Sequence, residues 1–290
     1  MSAVLGRGRG TGIVALIEPG RAVHASVELG RSELPVRLSL RRDALAVDDE
    51  VLLLPEPPRE VTIATVLPKA EADVLGVDRL LVALPAVRRV DDATSAALVI
   101  GSGGAGAGGR GSRLDVTPLG TERDDWIGPF VVERRHPLLV GTTLEGIVWS
   151  GGRGPLPGRP LVFAGEQPLV SEEATPGGHV WRLNLDLARS TLAASPDWPI
   201  LVSNAVERVR AARPGPGPVN VRLDEPLVYR HAGDAAAPPT WQLVAPSGRT
   251  ESARGLRLFS WEAREPGLHR LTAPAGDLAR YAVQFVDAQE

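Results

Sequence analysis

Two proline-rich segments constrain the fold of this chain more than any other feature of its sequence. The sequence PEPP occupies residues 55–58, and RPGPGP occupies residues 213–218. Proline lacks a backbone N–H donor, so neither segment continues a helix or a hydrogen-bonded strand ladder. The length of 290 residues also exceeds that of one typical domain. We therefore predict three domains, at residues 1–58, 59–213 and 214–290.

The first zone has the pattern of a small β-sheet. Extended runs occupy residues 13–17, 22–29, 34–40 and 50–54. Residues 36–40 alternate strictly between apolar and polar, as in a sheet with one face in water. A packed sandwich usually has about seven strands. The four short runs therefore predict only a partial immunoglobulin-like module over residues 1–58.

The central zone opens with the pattern of a βαβ unit. The apolar run at residues 61–66 predicts a strand that is buried on both faces. Apolar residues at three- and four-residue steps predict one helix over residues 69–84. Strands are predicted next at residues 87–90 and 97–100. Because such units have a right-handed crossover, this order implies a parallel sheet.

The same zone closes with further strands and a long helix. The strands are predicted at residues 146–149, 161–164 and 179–187. An amphipathic helix is predicted from about Trp198 to Ala212, with its apolar face on the sheet. Asp197 stands where the N-cap of this helix belongs.

The third zone repeats short apolar runs between turn signals that contain proline and glycine. The runs occupy residues 219–223, 241–244, 256–261, 267–271 and 281–286. This rhythm is typical of a small β-sandwich, which we predict over residues 214–290.

Six short motifs resemble those of one protein family and follow the same order along the chain. They are DALAVDD at residues 43–49, HPLL at 136–139, PL at 168–169, STL at 190–192, DWPILVSN at 197–204 and ARYAVQFVDAQE at 279–290. Together the motifs span most of the sequence. The chain resembles the amidotransferase-like region of large bacterial membrane proteins of the BatA-type von Willebrand A class, the aerotolerance-operon type.

This resemblance implies an α/β plus β architecture. A flavodoxin-like or class I glutamine-amidotransferase-like central domain is expected between the partial immunoglobulin-like module and the C-terminal β-sandwich. The resemblance also implies association with the cell envelope and protein partners, either a von Willebrand A membrane protein or a MoxR-type AAA ATPase. Because no apolar run reaches the roughly 18–20 residues that cross a bilayer, we predict no membrane span in this chain. The compartment is left open.

The amidotransferase-like resemblance raises the question of catalysis, and the sequence argues against it. The chain contains no cysteine, which excludes the thiol nucleophile of a class I glutaminase. Ser102 with His136 as its base is the weak candidate that remains. Ile100 stands where a nucleophile elbow has its first glycine, and glycines and alanines rather than a helix follow. We interpret His136, which precedes a proline, as a histidine that hydrogen-bonds a loop backbone.

Other classes of site also lack support in the sequence. GSGGAG at residues 101–106 matches a dinucleotide pattern, but no helix is predicted after it. The five histidines have no metal-binding spacing, and we predict that the acidic pairs at residues 124–125 and 172–173 are solvated. The formal net charge of −3 gives no general attraction to nucleic acid. We therefore predict no metal, no cofactor and no nucleic-acid partner.

The combined interpretation is a non-catalytic interaction or scaffold protein, in effect a pseudoenzyme. One alternative is a hydrolase or amidotransferase-like enzyme that uses Ser102 and His136. A second alternative is a ligand- or glycan-binding module on the β-sandwich.

Overall fold

The chain divides into two compact units. The central unit comprises Pro58–Ala212, and the second unit comprises Met1–Pro57 together with Arg213–Glu290. The predicted modules at residues 1–58 and 214–290 therefore both contribute to the second unit. The computed structural model describes residues 2–6, 12–16, 35–40, 50–56, 59–103, 111–231, 240–254, 258–273 and 276–285. The predictions for residues 22–29, for the DALAVDD motif and for the glycines at 104–110 lie outside these residues.

The N-terminal part of the second unit is an antiparallel sheet in the strand order β2-β1-β3-β4. Its strands are β1 (Ser2–Gly6), β2 (Gly12–Leu16), β3 (Val36–Leu40) and β4 (Glu50–Leu53). Three of the predicted extended runs coincide with β2, β3 and β4. The pattern did not predict β1, because its five residues include a serine and a glycine and show no regular alternation.

The central unit combines ten strands with three α-helices among its described residues. The strands are β5 (Val61–Val66), β6 (Val87–Arg89), β7 (Leu98–Gly101), β8 (Ser112–Val116), β9 (Asp124–Ile127), β10 (Val131–Val132), β11 (Val148–Gly151), β12 (Arg159–Ala164), β13 (Gln167–Thr175) and β14 (Gly178–Leu183). The helices are α1 (Lys69–Val74), α2 (Val77–Ala83) and α3 (Asp197–Ala212), and single 3₁₀ turns lie at Pro137–Leu139 and Leu192–Ala194.

The single helix predicted over residues 69–84 is two helices. Gly76, between α1 and α2, has a φ of +59°, in the left-handed region that ends an α-helix. The apolar period continues across this break, which is why the pattern predicted one helix. The prediction of helical structure was therefore confirmed, but the prediction of one continuous helix was wrong.

Eight strands of the central unit form one mixed sheet in the order β10-β12-β13-β14-β8-β7-β5-β6. The pairs from β6 to β14 are parallel, as the βαβ pattern predicted. The pairs from β14 through β13 and β12 to β10 are antiparallel. Strands β9 and β11 pair with each other outside this sheet.

Helix α3 packs on one face of the sheet through the apolar stripe that its sequence predicted. The buried residues of the stripe are Trp198, Leu201, Val202, Ala205, Val206 and Val209. They share one core with Trp149 and Trp181, both fully buried. Burial of such large aromatic side chains makes this core the main stabilising feature of the unit.

Asp197 begins α3 rather than capping it, which corrects the predicted N-cap. Its carboxylate accepts hydrogen bonds from the backbone N–H groups of Thr143 and Leu144, at 2.9 and 3.0 Å. The N–H of Asp197 itself donates to Ser195 Oγ at 3.1 Å. Asp197 therefore ties a distant loop to the start of the helix.

The C-terminal part of the second unit contains two further sheets, in the orders β15-β17-β20 and β16-β22-β21-β18-β19. Their strands are β15 (Gly215–Pro216), β16 (Asn220–Arg222), β17 (Pro226–Arg230), β18 (Thr240–Val244), β19 (Thr250–Arg254), β20 (Leu258–Glu262), β21 (Gly267–Ala273) and β22 (Gly276–Gln284). Side chains from both sheets meet in one apolar core, where the rings of Trp241 and Phe259 lie 4.6 Å apart. This region is thus β-rich, as predicted.

Side-chain amides connect the two parts of the second unit. Asn220 accepts a hydrogen bond from the N–H of Leu54 at 2.7 Å and donates to its carbonyl at 2.8 Å. The amide of Gln284 donates to the carbonyl of Leu52 at 3.0 Å. None of the described helices in either unit combines the length and the apolar composition that crossing a membrane requires.

Candidate functional site

The structure does not bring the two candidate catalytic residues together. Ser102 follows β7, and its N–H donates to the carbonyl of Val66 at 3.3 Å. His136 follows β10 and is hydrogen-bonded to Glu172 of β13. Strands β7 and β13 are three places apart in the sheet, which corresponds to about 14 Å. Among the described residues, no hydrogen bond joins Ser102 to His136.

His136 is buried, and both of its ring nitrogens have partners. Nδ1 accepts the N–H of Leu138 at 3.3 Å, which caps the 3₁₀ turn that follows. Nε2 therefore carries the hydrogen and donates to Glu172 Oε2 at 3.0 Å. The predicted hydrogen bond to a loop backbone is present, and the bond to Glu172 was not foreseen.

Glu172 is the centre of a polar cluster that joins the sheet to α3. Its side chain is only 13% exposed, which corrects the prediction that it is solvated. Besides His136, it accepts a hydrogen bond from Trp181 Nε1 at 2.9 Å. His179 Nδ1 and Arg208 Nε lie 3.1 and 3.3 Å from Oε1. We call Glu172 and these four residues the Glu172 cluster.

The cluster keeps Glu172 ionised. Burial raises the pKa of this carboxyl, but hydrogen bonds from His136 and Trp181 and the charge of Arg208 together hold the pKa below its usual value. His179 Nδ1 and Arg208 Nε lie within ion-pair distance but are not aligned as hydrogen bonds. Their contribution to the cluster is therefore electrostatic.

His179 makes the stability of the central unit depend on pH. Burial lowers the pKa of its imidazole, the charge of Arg208 lowers it further, and Glu172 opposes both. The unfolded chain, with a histidine pKa of about 6.5, then binds a proton more readily than the folded one. We expect the free energy of unfolding to be greatest above pH 6.5 and to fall as the pH decreases towards 5.5. Urea unfolding at several pH values measures this slope.

The variant His179→Gln tests this contribution, because it removes the titrating imidazole and keeps a polar side chain at the same position. We expect a shallower slope between pH 7.5 and pH 5.5 in the variant. Glu172 titrates below this window, so it does not interfere. Identical slopes in the two proteins would contradict the assignment.

Asn184 is a second buried polar residue, and the sequence pattern missed it. Its Oδ1 accepts the N–H groups of Leu119 and Gly152 at 2.8 and 2.9 Å, and its Nδ2 donates to the Gly152 carbonyl at 2.7 Å. Its backbone carbonyl accepts Trp149 Nε1 at 2.6 Å. The sequence around it, WRLNLDL at residues 181–187, alternates between apolar and polar residues, so it carries no local sign that this amide is buried.

An open groove with a mixed polar and apolar lining lies at the antiparallel end of the sheet, with a volume of about 710 Å³. Val131, Phe163 and Pro168 are directly paired across β10, β12 and β13, so they share one face. Phe163 and Pro168 line the groove, and Val131, beside Phe163, is 66% exposed. The groove is also lined by Trp126, Pro155, Leu156, Pro160 and Ala164, with Arg153 and Glu166 among its charged residues.

The described residues contain no group of three histidine, aspartate or glutamate side chains placed to hold a metal ion. The Glu172 cluster has two histidines and one carboxylate, but an arginine and an indole N–H already occupy one carboxylate oxygen. The Glu172 cluster therefore forms a closed network of hydrogen bonds and ion pairs.

Comparisons with known proteins add little to this geometry. No model of a known protein family matches the sequence. No curated protein matches it either. Among solved structures, the chain is similar to a β-galactosidase from Bacillus circulans sp. alkalophilus, with a TM-score of 0.32 and 13% sequence identity. The match covers 76% of this chain and 41% of that chain, less than half of its length. A likeness this distant carries no argument about function.

Proposed function

We propose that this chain is a non-catalytic interaction or scaffold protein of a BatA-type, envelope-associated system. In this proposal the central unit is a flavodoxin-like or amidotransferase-like domain, and its partner is a von Willebrand A membrane protein or a MoxR-type ATPase. The six ordered motifs and the βαβ opening of the sheet support this assignment. The groove at the antiparallel end of the sheet carries the functional part of the proposal.

The groove has the composition of a protein-binding surface. Aromatic and proline side chains form its walls, and the exposed Val131 extends its apolar surface along the sheet. Non-obligate protein interfaces likewise combine polar and apolar surface in similar proportions. Aromatic residues are also enriched at the centres of interfaces. A partner that covers this groove would remove that surface from water.

The Glu172 cluster supports a non-catalytic role. A general base must lie within about 3.2 Å of the proton that it removes. Both nitrogens of His136 are already bonded, and Ser102 lies three strands away. No specific observation favours the hydrolase or the glycan-binding alternative.

Binding to purified candidate partners tests the proposal. We expect the chain to bind either the von Willebrand A protein or the MoxR-type ATPase encoded in the same genome, measured by biolayer interferometry. Val131→Asp places a charge beside Phe163 on the groove face, and we expect it to weaken binding by about tenfold or more. Val131 is exposed, so the variant should fold normally.

Ile127→Asp is the matched control. Ile127 is 74% exposed, similar to Val131, but it follows Trp126 in β9 and therefore points to the opposite face of that strand. We expect its affinity to remain close to that of the unmodified chain. Equal losses in both variants, or binding to neither partner, would contradict the groove assignment. Turnover that disappears in Ser102→Ala would instead support the hydrolase alternative.

A further inference from the structure

The groove that Phe163 and Pro168 line has two walls that the chain itself holds in place. One wall is the β12–β13 hairpin, and the other is the loop that contains Gly154 and Pro155. Gln167 of the hairpin connects them, because its Oε1 accepts the N–H of Gly154 at 3.0 Å and its Nε2 donates to the Gly154 carbonyl at 2.8 Å. Proline rings, whose φ angles are fixed, line both walls. The groove is therefore formed before a partner binds, which lowers the entropic cost of binding.

Trp126 gives the groove a hydrogen-bond donor that the chain does not use. Its indole is half-buried and lines the groove. Nε1 has no hydrogen-bond partner among the described residues, and it is not one of their buried unpaired atoms, so solvent reaches it. By contrast, both N–H bonds of the Gln167 amide point to carbonyls, those of Gly154 and Pro168. The indole N–H is thus available to an acceptor on a ligand.

Glu166 gives the groove an unpaired negative charge. It lies in the turn of the β12–β13 hairpin, is exposed, and has no ion-pair partner within the part of the chain that the structure describes. Arg153, the other charged residue of the lining, is already paired with Asp124. A basic residue on a ligand would therefore be attracted to Glu166.

These features match an extended, proline-rich peptide. A polyproline II backbone has no internal hydrogen bonds, so its carbonyls are free to accept a donor such as Trp126 Nε1. Aromatic-lined grooves are a recurrent way of binding such segments, and Trp126 and Phe163 supply the aromatic surface here. We propose that this groove binds a proline-rich segment of the partner protein, with an arginine or lysine of that segment facing Glu166. This inference rests on the proposed function and names the chemistry of the partner's segment.

A carbohydrate matches the same groove less well. Each sugar unit carries several hydroxyl groups, and those that face the groove need hydrogen-bond partners. The N–H bonds of the Gln167 amide are already used, and Pro155, Pro160 and Pro168 have no N–H to offer. A proline-rich segment has few polar groups to satisfy, so the lining favours the peptide.

A blocked oligoproline peptide with one terminal arginine tests this proposal. We expect isothermal titration calorimetry with the full chain to show saturable binding, with a dissociation constant below about 1 mM. A glycine–serine peptide of the same length and charge is the control and should not bind. Absence of saturable oligoproline binding would overturn the proposal, and saturable binding of chitohexaose in its place would identify a glycan site.

Trp126→Phe keeps an aromatic ring and removes the indole N–H. Because that N–H has no partner among the described residues, we expect the variant to fold. Oligoproline affinity should fall by about threefold to tenfold, the effect of one hydrogen bond. In the unmodified chain, the indole N–H signal of Trp126 should shift in NMR spectra as the peptide is added. Unchanged affinity and an unshifted signal would contradict the assignment.

Glu166→Gln keeps the proposal testable if Trp126→Phe does not fold, because Glu166 is exposed in a turn. We expect a loss of about twofold to fivefold for the oligoproline peptide with arginine, and no loss for the same peptide without it. Glu145→Gln is the matched control, since Glu145 is exposed and does not line the groove. Equal effects of the two variants would show that the arginine does not face Glu166.

The two proposals fail separately. Binding of a von Willebrand A protein or a MoxR-type ATPase without oligoproline binding would overturn this inference alone. Oligoproline binding without either partner protein would overturn the choice of partners and support the groove as a peptide site. The chain itself contains the sequence RPGPGP at residues 213–218. A dimer in sedimentation velocity that the oligoproline peptide dissociates would place a second copy in the groove and overturn the assignment to a different protein.

Discussion

Glu172→Ala is expected to lower the free energy of unfolding of the central unit by about 4 kcal/mol. The substitution leaves the buried N–H donors of His136 and Trp181 without an acceptor, and it leaves the charge of Arg208 without its counter-ion. Each unpaired buried donor costs about 1–3 kcal/mol, and breaking a buried ion pair from one side costs more. Urea unfolding at pH 7.5, followed by tryptophan fluorescence, measures the difference.

Glu173→Ala is the control for this prediction, because Glu173 is the next residue of the same strand. Its side chain is 44% exposed and is paired with Arg182 on the other face of the sheet. Exposed pairs contribute about 0–1 kcal/mol, so this variant should remain close to the unmodified chain. If the two variants were equally stable, water would be satisfying the donors of the Glu172 cluster, and our account of it would be wrong.

Asn184→Ala is expected to lower the free energy of unfolding by a similar amount, about 4 kcal/mol. The amide accepts hydrogen bonds from the N–H groups of Leu119 and Gly152 and donates one to the Gly152 carbonyl. All three backbone groups lose their partner in the variant. Water cannot readily replace the amide, because the chain packs so closely here that a Cβ atom on Gly152 would collide with the Leu119 carbonyl. We also expect faster hydrogen exchange at the amides of Leu119 and Gly152, measured by NMR.

Asn204→Ala provides the matched comparison. The Asn204 side chain, on α3, donates to the carbonyls of Leu138 and Val140 at 2.9 and 2.8 Å. Only carbonyl groups lose a partner in this variant, and the bond to Val140 is exposed to water. We expect a loss of about 1 kcal/mol. A loss as large as that for Asn184→Ala would show that water access is not the deciding difference.

Much of the secondary structure follows from local pattern. The apolar stripe of α3 repeats from Trp198 to Val209, so its buried face was predictable before any tertiary contact was known. The β-branched run of β5 predicted a strand buried on both faces, and the strand lies at an interior position of the sheet. Strands β8, β9, β10 and β13 escaped prediction. Strands β9 and β10 have too few residues to establish a period, and charged residues interrupt the apolar pattern of β8 and β13.

The candidate site was predictable only in part. The absence of cysteine, and of a helix-forming sequence directly after Ser102, was evident from the residues themselves. Glu172 was wrongly predicted to be solvated, because the sequence of two adjacent acidic residues is the same in a turn as in a strand. In β13 the two carboxylates point to opposite faces, so Glu172 lies towards α3 and Glu173 away from it.

The sequence by itself determined where strands and helices can form, where prolines interrupt them, and which nucleophiles are chemically possible. These properties depend on neighbouring residues, whose spacing is visible along the chain. Only the tertiary structure decided which polar groups meet. His136 and Glu172 are 36 residues apart and belong to different elements, so strand pairing and helix packing alone place them in contact. The HPLL motif thus marks a histidine whose role depends on a glutamate that no local pattern connects to it.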